Sequence, residues 1–102
     1  MTEFQQQCYQ TLKDKVPAGR VITYGGLAQL IGHPNAHRAV GSAMNKNPFA
    51  PNVPCHRVVK SNGDLGGFAL DLKIKIKHLQ KEGVQVMNNK IVDFKEKVVK
   101  IT

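Results

Sequence analysis

Cys55 stands between Pro54 and His56, with Arg57 next, so a thiol, an imidazole and a guanidinium are set side by side on a backbone stiffened from its N-terminal side. Such neighbours favour nucleophilic chemistry at sulfur. The thiolate is the competent form, and a nearby base that takes its proton, or a cation that stabilises its charge, raises its population at neutral pH. In an extended chain successive side chains point to opposite sides, so His56 reaches Cys55 only through a turn or a bridging water. The other thiol, Cys8, shares a helical stripe with Phe4 and Leu12 and reads as inert core filler. Two cysteines make no disulfide framework, and no Cys-x-x-Cys or clustered Cys/His spacing offers a metal site.

The elements that must position these groups follow from local pattern. Thr2 followed three residues later by Gln5 is a capping-box signature, and the stripe through Phe4, Cys8 and Leu12 predicts a helix over about residues 3 to 15. Beyond Pro17 and Gly19, Thr23 can cap a second helix carrying Leu27, Leu30 and Ile31 and ending at Gly32. His33-Pro34-Asn35 supplies a turn, with Asn35 expected as the cap of a third helix to about Asn45 whose Ala39, Val40, Ala43 and Met44 face inward. Two short helices across a tight turn predict a helix-turn-helix. The outward face of the second of them carries Arg38, Gly41, Ser42 and Asn45. A helix that reads bases in the major groove presents several long hydrogen-bonding side chains, whereas short ones let the backbone approach closely, which suits a narrow groove and sequence-independent binding.

Asn47 to Pro54 holds three prolines in eight residues and is expected as a stiff loop. His56 to Val59 and Leu65 to Phe68 flank the turn Ser61-Asn62-Gly63-Asp64 and predict a hairpin or wing. Residues 71 to 83 satisfy both strand alternation and a helical stripe through Leu72, Ile76 and Leu79; helix is the choice, because Asp71 can cap it and Gly83 stands where a helix-ending glycine belongs. For the Lys-rich segment from Val84 to Thr102, strand, helix and partial disorder all stay open. The fold class expected is mainly α with a small β wing, a winged-helix-like helix-turn-helix.

At 102 residues and 41% hydrophobic, the chain is expected to be one domain over residues 1–102, with residues 84–102 as an extension. Fifteen Lys+Arg against seven Asp+Glu, a formal charge of +8, point to a polyanionic partner, nucleic acid or an anionic membrane surface. No apolar run approaches the roughly 20 residues that span a bilayer, and the first residues lack the basic and apolar regions of a signal peptide. A cytoplasmic location is expected, or a nuclear one in a eukaryote.

The string VPCHRVV over residues 53–59 is a close counterpart of Ile-Pro-Cys-His-Arg-Val, and with it the chain resembles the C-terminal, active-site domain of the O6-alkylguanine-DNA alkyltransferases, also called methylated-DNA--protein-cysteine methyltransferases. The likeness runs from about Phe4 to Gly83 and takes in, in order, GRVITYGGLA (19–28), AHRAVGSAM (36–44), NKNP (45–48), GDLGGF (63–68) and LQKEG (79–83). The resemblance implies that Cys55 accepts an alkyl group, that His56 draws the thiol proton through a water, and that Glu82 holds His56 in the proper tautomer. That role would also explain a carboxylate set against the negative end of a helix dipole. Asn47 would brace the turn around the cysteine. Tyr24 would push the target phosphate, and Arg38 would fill the stack vacated by a nucleotide flipped out at a cost of a few kcal/mol. By the same resemblance, Ala39, Gly41, Ser42 and Asn45 would meet the minor groove, and Phe68, Ala69, Met44 and Val58 would line the substrate pocket.

The reaction implied is in-line displacement at the alkyl carbon of O6-alkylguanine, giving a thioether that consumes the protein after one turnover. It needs no cofactor and no metal. The partner implied is double-stranded DNA bearing the lesion, met by a monomer with no membrane and no obligate protein partner. The resemblance also implies a module acting without the N-terminal domain that many relatives carry. Departures lie at Phe68-Ala69-Leu70-Asp71, where most relatives have tyrosine, a small residue and paired glycines; Phe68 can stack on a flipped base but cannot hydrogen-bond it. Three other readings compete. An alkyltransferase-like lesion sensor would replace the acceptor cysteine, typically by tryptophan, yet Cys55 is present. A winged-helix transcription regulator would carry long base-reading side chains on the helix of Arg38, and a cysteine hydrolase would need an oxyanion hole.

Overall fold

The computed structural model describes residues 2–49, 52–65 and 69–101. Helix α1, Glu3–Lys15, starts on the predicted capping box: the Gln5 amide donates to Thr2 Oγ1 at 3.1 Å and the Thr2 amide to Gln5 Oε1 at 3.0 Å. It buries Cys8, Tyr9 and Leu12. Strand β1, Ile22–Thr23, runs straight into helix α2, Tyr24–Leu30, which Thr23 caps by accepting from the Gly26 amide at 2.9 Å. Helix α2 stops at Gly32, whose φ of 84° is open to glycine at little cost. There His33 donates to the Ala28 carbonyl and Gly32 to that of Gln29, the two bonds of a Schellman end.

Helix α3 spans His37–Asn45. Its N-cap is Ala36, without a side-chain bond, and not Asn35, which lies in the preceding turn closed by the Ala36 amide on the His33 carbonyl. Val40, Ala43 and Met44 are buried as expected, but Ala39 is exposed, because it sits on the flank of that narrow stripe. A 3₁₀ turn, Cys55–Arg57, then leads into strand β2, Val58–Val59. The turn predicted at Ser61–Asp64 forms, with the Gly63 amide donating to the Lys60 carbonyl and the Lys60 amide to that of Asp64. Strand β2 pairs in parallel with β1, Ile22 opposite Val58 and Thr23 opposite Val59, while Asp64 bridges Lys90 and the Leu65 amide donates to the Asn89 carbonyl. The rest of the predicted return strand, Gly66 to Phe68, lies outside the described residues.

Helix α4 spans Ala69–Lys81 and begins before Asp71, which is therefore in its first turn rather than its cap. It ends on a second Schellman pair, Val84 to the Leu79 carbonyl and Gly83 to that of Gln80, with Gly83 at φ 87°. The segment left open by the sequence is ordered through Ile101. Strands β3, Val86–Met87, and β4, Lys90–Ile91, form an antiparallel hairpin around Asn88 and Asn89, both with positive φ as a type I′ turn requires. Helix α5, Phe94–Lys97, follows, and Val98 then bridges Val21 in parallel.

The short strands sort the core. Successive strand residues face opposite ways, so Ile22 and Val58 join one buried cluster with Cys8, Tyr9, Leu12, Leu27 and Val40, while Val21 and Val59 join a second with Leu65, Leu79, Val84 and Ile91. Among the described residues no helix is long and apolar enough to cross a membrane. One bond crosses the first cluster: Tyr9 donates its hydroxyl to the Ala43 carbonyl at 2.7 Å, tying α1 to α3. Tyr9→Phe is expected to lower unfolding free energy by about 1–2 kcal/mol in a urea titration, since a buried carbonyl near the end of α3 loses its side-chain donor.

Candidate active site

The turn that carries Cys55 is built from its flanks. Asn47 donates through Nδ2 to the Val53 carbonyl at 2.8 Å and accepts from the Phe49 amide at 2.9 Å, clipping the proline-rich loop shut. The Cys55 amide donates to the same Val53 carbonyl at 2.9 Å, and Arg57 to the Pro54 carbonyl at 2.9 Å. The chain is thus turned, not extended, at Cys55–Arg57, with Cys55 half-buried against the first cluster and His56 buried.

His56 Nε2 lies 3.0 Å from Glu82 Oε1, the distance of a hydrogen bond, but its N–H is not aimed at that oxygen and has no well-aligned partner. Arg57 takes the better geometry. Its Nε donates to Glu82 Oε1 at 2.9 Å, its Nη2 to Glu82 Oε2, and its Nη1 to the Val16 carbonyl beyond the end of α1 at 2.8 Å. Glu82 is the residue immediately before Gly83, so the Schellman end of α4 fixes where the carboxylate stands. Burial pushes Glu82 up, but the hydrogen bonds from Arg57 and the proximity of His56 outweigh it and hold the carboxyl below its ordinary range. Burial pushes His56 down; Glu82 opposes this, while Arg57 and His78 add to it, and the net is a neutral imidazole favoured to lower pH than usual. Cys8 is buried and its thiol is pushed up to about 11 by burial, as an inert core thiol should be.

Tyr24 lies half-buried at the start of α2 against Gly41 of α3, where a Cβ would come within 3.9 Å of its ring. Burial and then the proximity of Cys55 push its hydroxyl up. Arg38, Ala39, Ser42 and Asn45 are exposed together on α3, a face without bulky apolar groups. Two of the pocket residues expected from the sequence do not offer side chains: Val58 is fully buried and Met44 nearly so, both in the first cluster. Phe68 and the side chain of Ala69 lie outside the described residues.

Three residues make contacts that sequence pattern did not indicate. Arg57 binds Glu82 rather than the thiol. Lys75 is half-buried: its Nζ donates to the Val58 carbonyl at 2.6 Å and sits 5.9 Å from the centre of the Tyr24 ring. Burial pushes this ammonium down to about 8, against the support of nearby Cys55. His78 stacks on His56 with ring centroids 5.1 Å apart. Lys75, His78 and Glu82 fall at i, i+3 and i+7 on α4, so one helix face supplies all three. No group of three or more His, Cys, Asp or Glu among the described residues could hold a metal. The arrangement can withdraw a proton from a thiol while neighbouring cations balance the charge left behind.

Comparison with known proteins agrees with this chemistry. The family model described as 6-O-methylguanine DNA methyltransferase, DNA binding domain, matches residues 3–84, and that designation replaces the C-terminal one expected from the sequence. A methylated-DNA--protein-cysteine methyltransferase of Methanosarcina acetivorans is 51% identical over 82 residues, covering 80% of this chain and 52% of that protein. One from Mycobacterium leprae is 43% identical over 88 residues, covering 86% and 53%. The chain therefore spans about half the length of the curated relatives it matches. The crystal structure of Mycobacterium tuberculosis O6-methylguanine methyltransferase superposes with a TM-score of 0.76 at 39% identity, over 86% of this chain and 53% of that one. S. pombe Atl1, solved in complex with damaged DNA containing O6-carboxymethylguanine, superposes with a TM-score of 0.87 at 29% identity, over 99% and 98%.

The half-buried Lys75 yields a stability prediction. Its folded value near 8 lies below the roughly 10.4 of an unfolded chain, so between those values the unfolded state holds the extra proton and stability rises with pH. The unfolding free energy of the parent chain, relative to Lys75→Met, should climb by up to about 3 kcal/mol from pH 8 to 10.5. A difference that stays flat across that window contradicts the burial of the ammonium.

Proposed function

Since the chain belongs to the 6-O-methylguanine DNA methyltransferase family, we propose that it repairs O6-alkylguanine in DNA by taking the alkyl group irreversibly onto Cys55. The observation that carries this reading is the turn itself: a half-buried thiol followed by a buried imidazole whose edge faces a carboxylate fixed by Arg57. Names borne by relatives 51% and 43% identical, methylated-DNA--protein-cysteine methyltransferase, support the substrate class.

In the proposed reaction His56, neutral at working pH, takes the Cys55 proton through a water. Glu82 stabilises the imidazolium that results, and Arg57 keeps that carboxylate ionised and in place. The thiolate attacks the alkyl carbon in line. The S–C bond forms as the C–O6 bond breaks, the electron pair leaves on the base, and the proton held by His56 returns to give guanine. The thioether has no activated carbonyl for water to attack, so each molecule acts once, without a cofactor.

The lesion carbon lies inside a duplex, so the nucleotide must be turned out first. Helix α3 is proposed to enter the minor groove, only about 6 Å wide, with Gly41, Ala39, Ser42 and Asn45 allowing close approach. Arg38 would occupy the vacated stack and Tyr24 would press on the phosphate of the flipped nucleotide. The surplus of cations adds salt-dependent, sequence-independent affinity. Because the Val58 and Met44 side chains are buried, they back the pocket from within the core. The protein is proposed to act on double-stranded DNA as a monomer, with no obligate protein partner, in the cytoplasm or, in a eukaryote, the nucleus.

The near full-length superposition on Atl1, solved with damaged DNA containing O6-carboxymethylguanine, makes binding of alkylated DNA without repair the second reading to test. The presence of Cys55 decides against it. Intact-mass measurement after incubation with a duplex containing O6-methylguanine separates the two: a gain of one methyl on the peptide holding Cys55, absent in Cys55→Ala, is expected. Tight binding with no gain in mass would overturn repair in favour of sensing.

A further inference from the structure

His56 is held at its edge by one off-line approach to Glu82 and at its face by a second imidazole. The His78 ring stacks on it with planes 29° apart and centroids 5.1 Å apart. Both partners come from α4, where His78 precedes Glu82 by one turn. The torsion that swings an imidazole about its Cβ–Cγ bond is broad, and a misaligned edge contact restrains it little. A second ring tilted 29° with its centroid 5.1 Å away restricts it further, because rotation turns the His56 edge toward that ring. His78 stands outside the apolar cluster that takes Leu72, Ile76 and Leu79 from the same helix, and its ring contact is with His56.

We propose that His78 is a positioning residue for His56, holding the plane of that ring and, when itself charged, withholding a proton from it. The proposal rests on the reading of Cys55 and His56 as nucleophile and base. The charged and titratable groups that act on His56 are His78 from α4, Glu82 just past its end, and Arg57 from its own turn. Glu82 favours the imidazolium; burial, Arg57 and His78 oppose it. A charge on His78 at this distance repels an imidazolium at His56, so His56 is harder to protonate than it would be beside a neutral ring. On acidification the base thus stays free further than a lone imidazole beside Glu82 would, and its ring stays aimed.

The test follows ring ¹⁵N shifts of the full chain, thiol reduced, across pH, in the parent protein and in His78→Phe, His78→Lys and His78→Leu. In the parent, His56 should titrate in a drawn-out curve. In His78→Phe, which keeps a flat ring without a charge, it should titrate in a single step displaced upward by roughly 0.5 to 1 pH unit. In His78→Lys, with a permanent cation, the step should fall below that of His78→Phe. The rate of Cys55 alkylation by iodoacetamide at neutral pH should drop severalfold in His78→Leu, where the flat ring is lost, and be largely kept in His78→Phe. A His56 midpoint unmoved by Phe or Lys, or equal rates in Leu and Phe, overturns the proposal. The titration needs no DNA, so it can fail while methyl transfer to Cys55 succeeds, and the reverse outcome would strike only the proposed reaction.

Discussion

One guanidinium holds three parts of the molecule in register. Arg57 grips both oxygens of Glu82 and the carbonyl of Val16, so the segment closing α1, the turn of Cys55 and the end of α4 meet at a single half-buried ion pair. Such a pair gains little over apolar packing when formed, but removing one partner strands the other, at a cost of about 3–5 kcal/mol. Its worth here is positional. Because Oε1 is shared between Arg57 and the edge of His56, the fork geometry of the guanidinium decides where the base of the proposed reaction can stand. The depressed Glu82 contributes stability that is fully present above the unfolded carboxylate range and is lost as pH falls through its folded value.

The site occupies the seam between two cores. Strand alternation at Val58 and Val59 sends one side chain to each cluster, and the turn just before them inherits contacts from both: Cys55 from the α1–α3 side, His56 from α4. A thiol placed there has apolar packing on one flank and a run of ionisable groups on the other. Asn47 and the prolines remove the freedom that would let the turn relax, so the arrangement exists before any ligand arrives. The exposed face of α3, with its short side chains, is the surface through which DNA could come near without side-chain obstruction.

What could be read from the sequence was local. The capping box at Thr2, the cap at Thr23 and the terminating glycines 32 and 83 all act within one turn of chain, and each stands where it was expected. The pairing of β2 with β1, across the whole helix-turn-helix, was not legible, because no local pattern records a parallel pairing of Ile22 with Val58. The cap assigned to Asp71 failed because α4 begins earlier. Within the site, Cys55, His56, Asn47 and Glu82 were legible through their strings. Arg57 as partner of Glu82 was not, since 25 residues separate them. Lys75 and His78 had a signal that was passed over: with Glu82 they share a face of one helix at spacings of three and four, which marks a polar stripe beside an apolar one.

The central physical claim is that the carboxylate of Glu82, held by Arg57, makes His56 an effective base for Cys55. Its most direct measurement is the single-turnover rate of methyl transfer from an O6-methylguanine duplex to Glu82→Gln, with circular dichroism showing the variant folded at the assay temperature. Loss of the negative charge at unchanged size should slow transfer by roughly 10²- to 10⁴-fold. A folded Glu82→Gln protein that accepts methyl groups at the parental rate would contradict the claim.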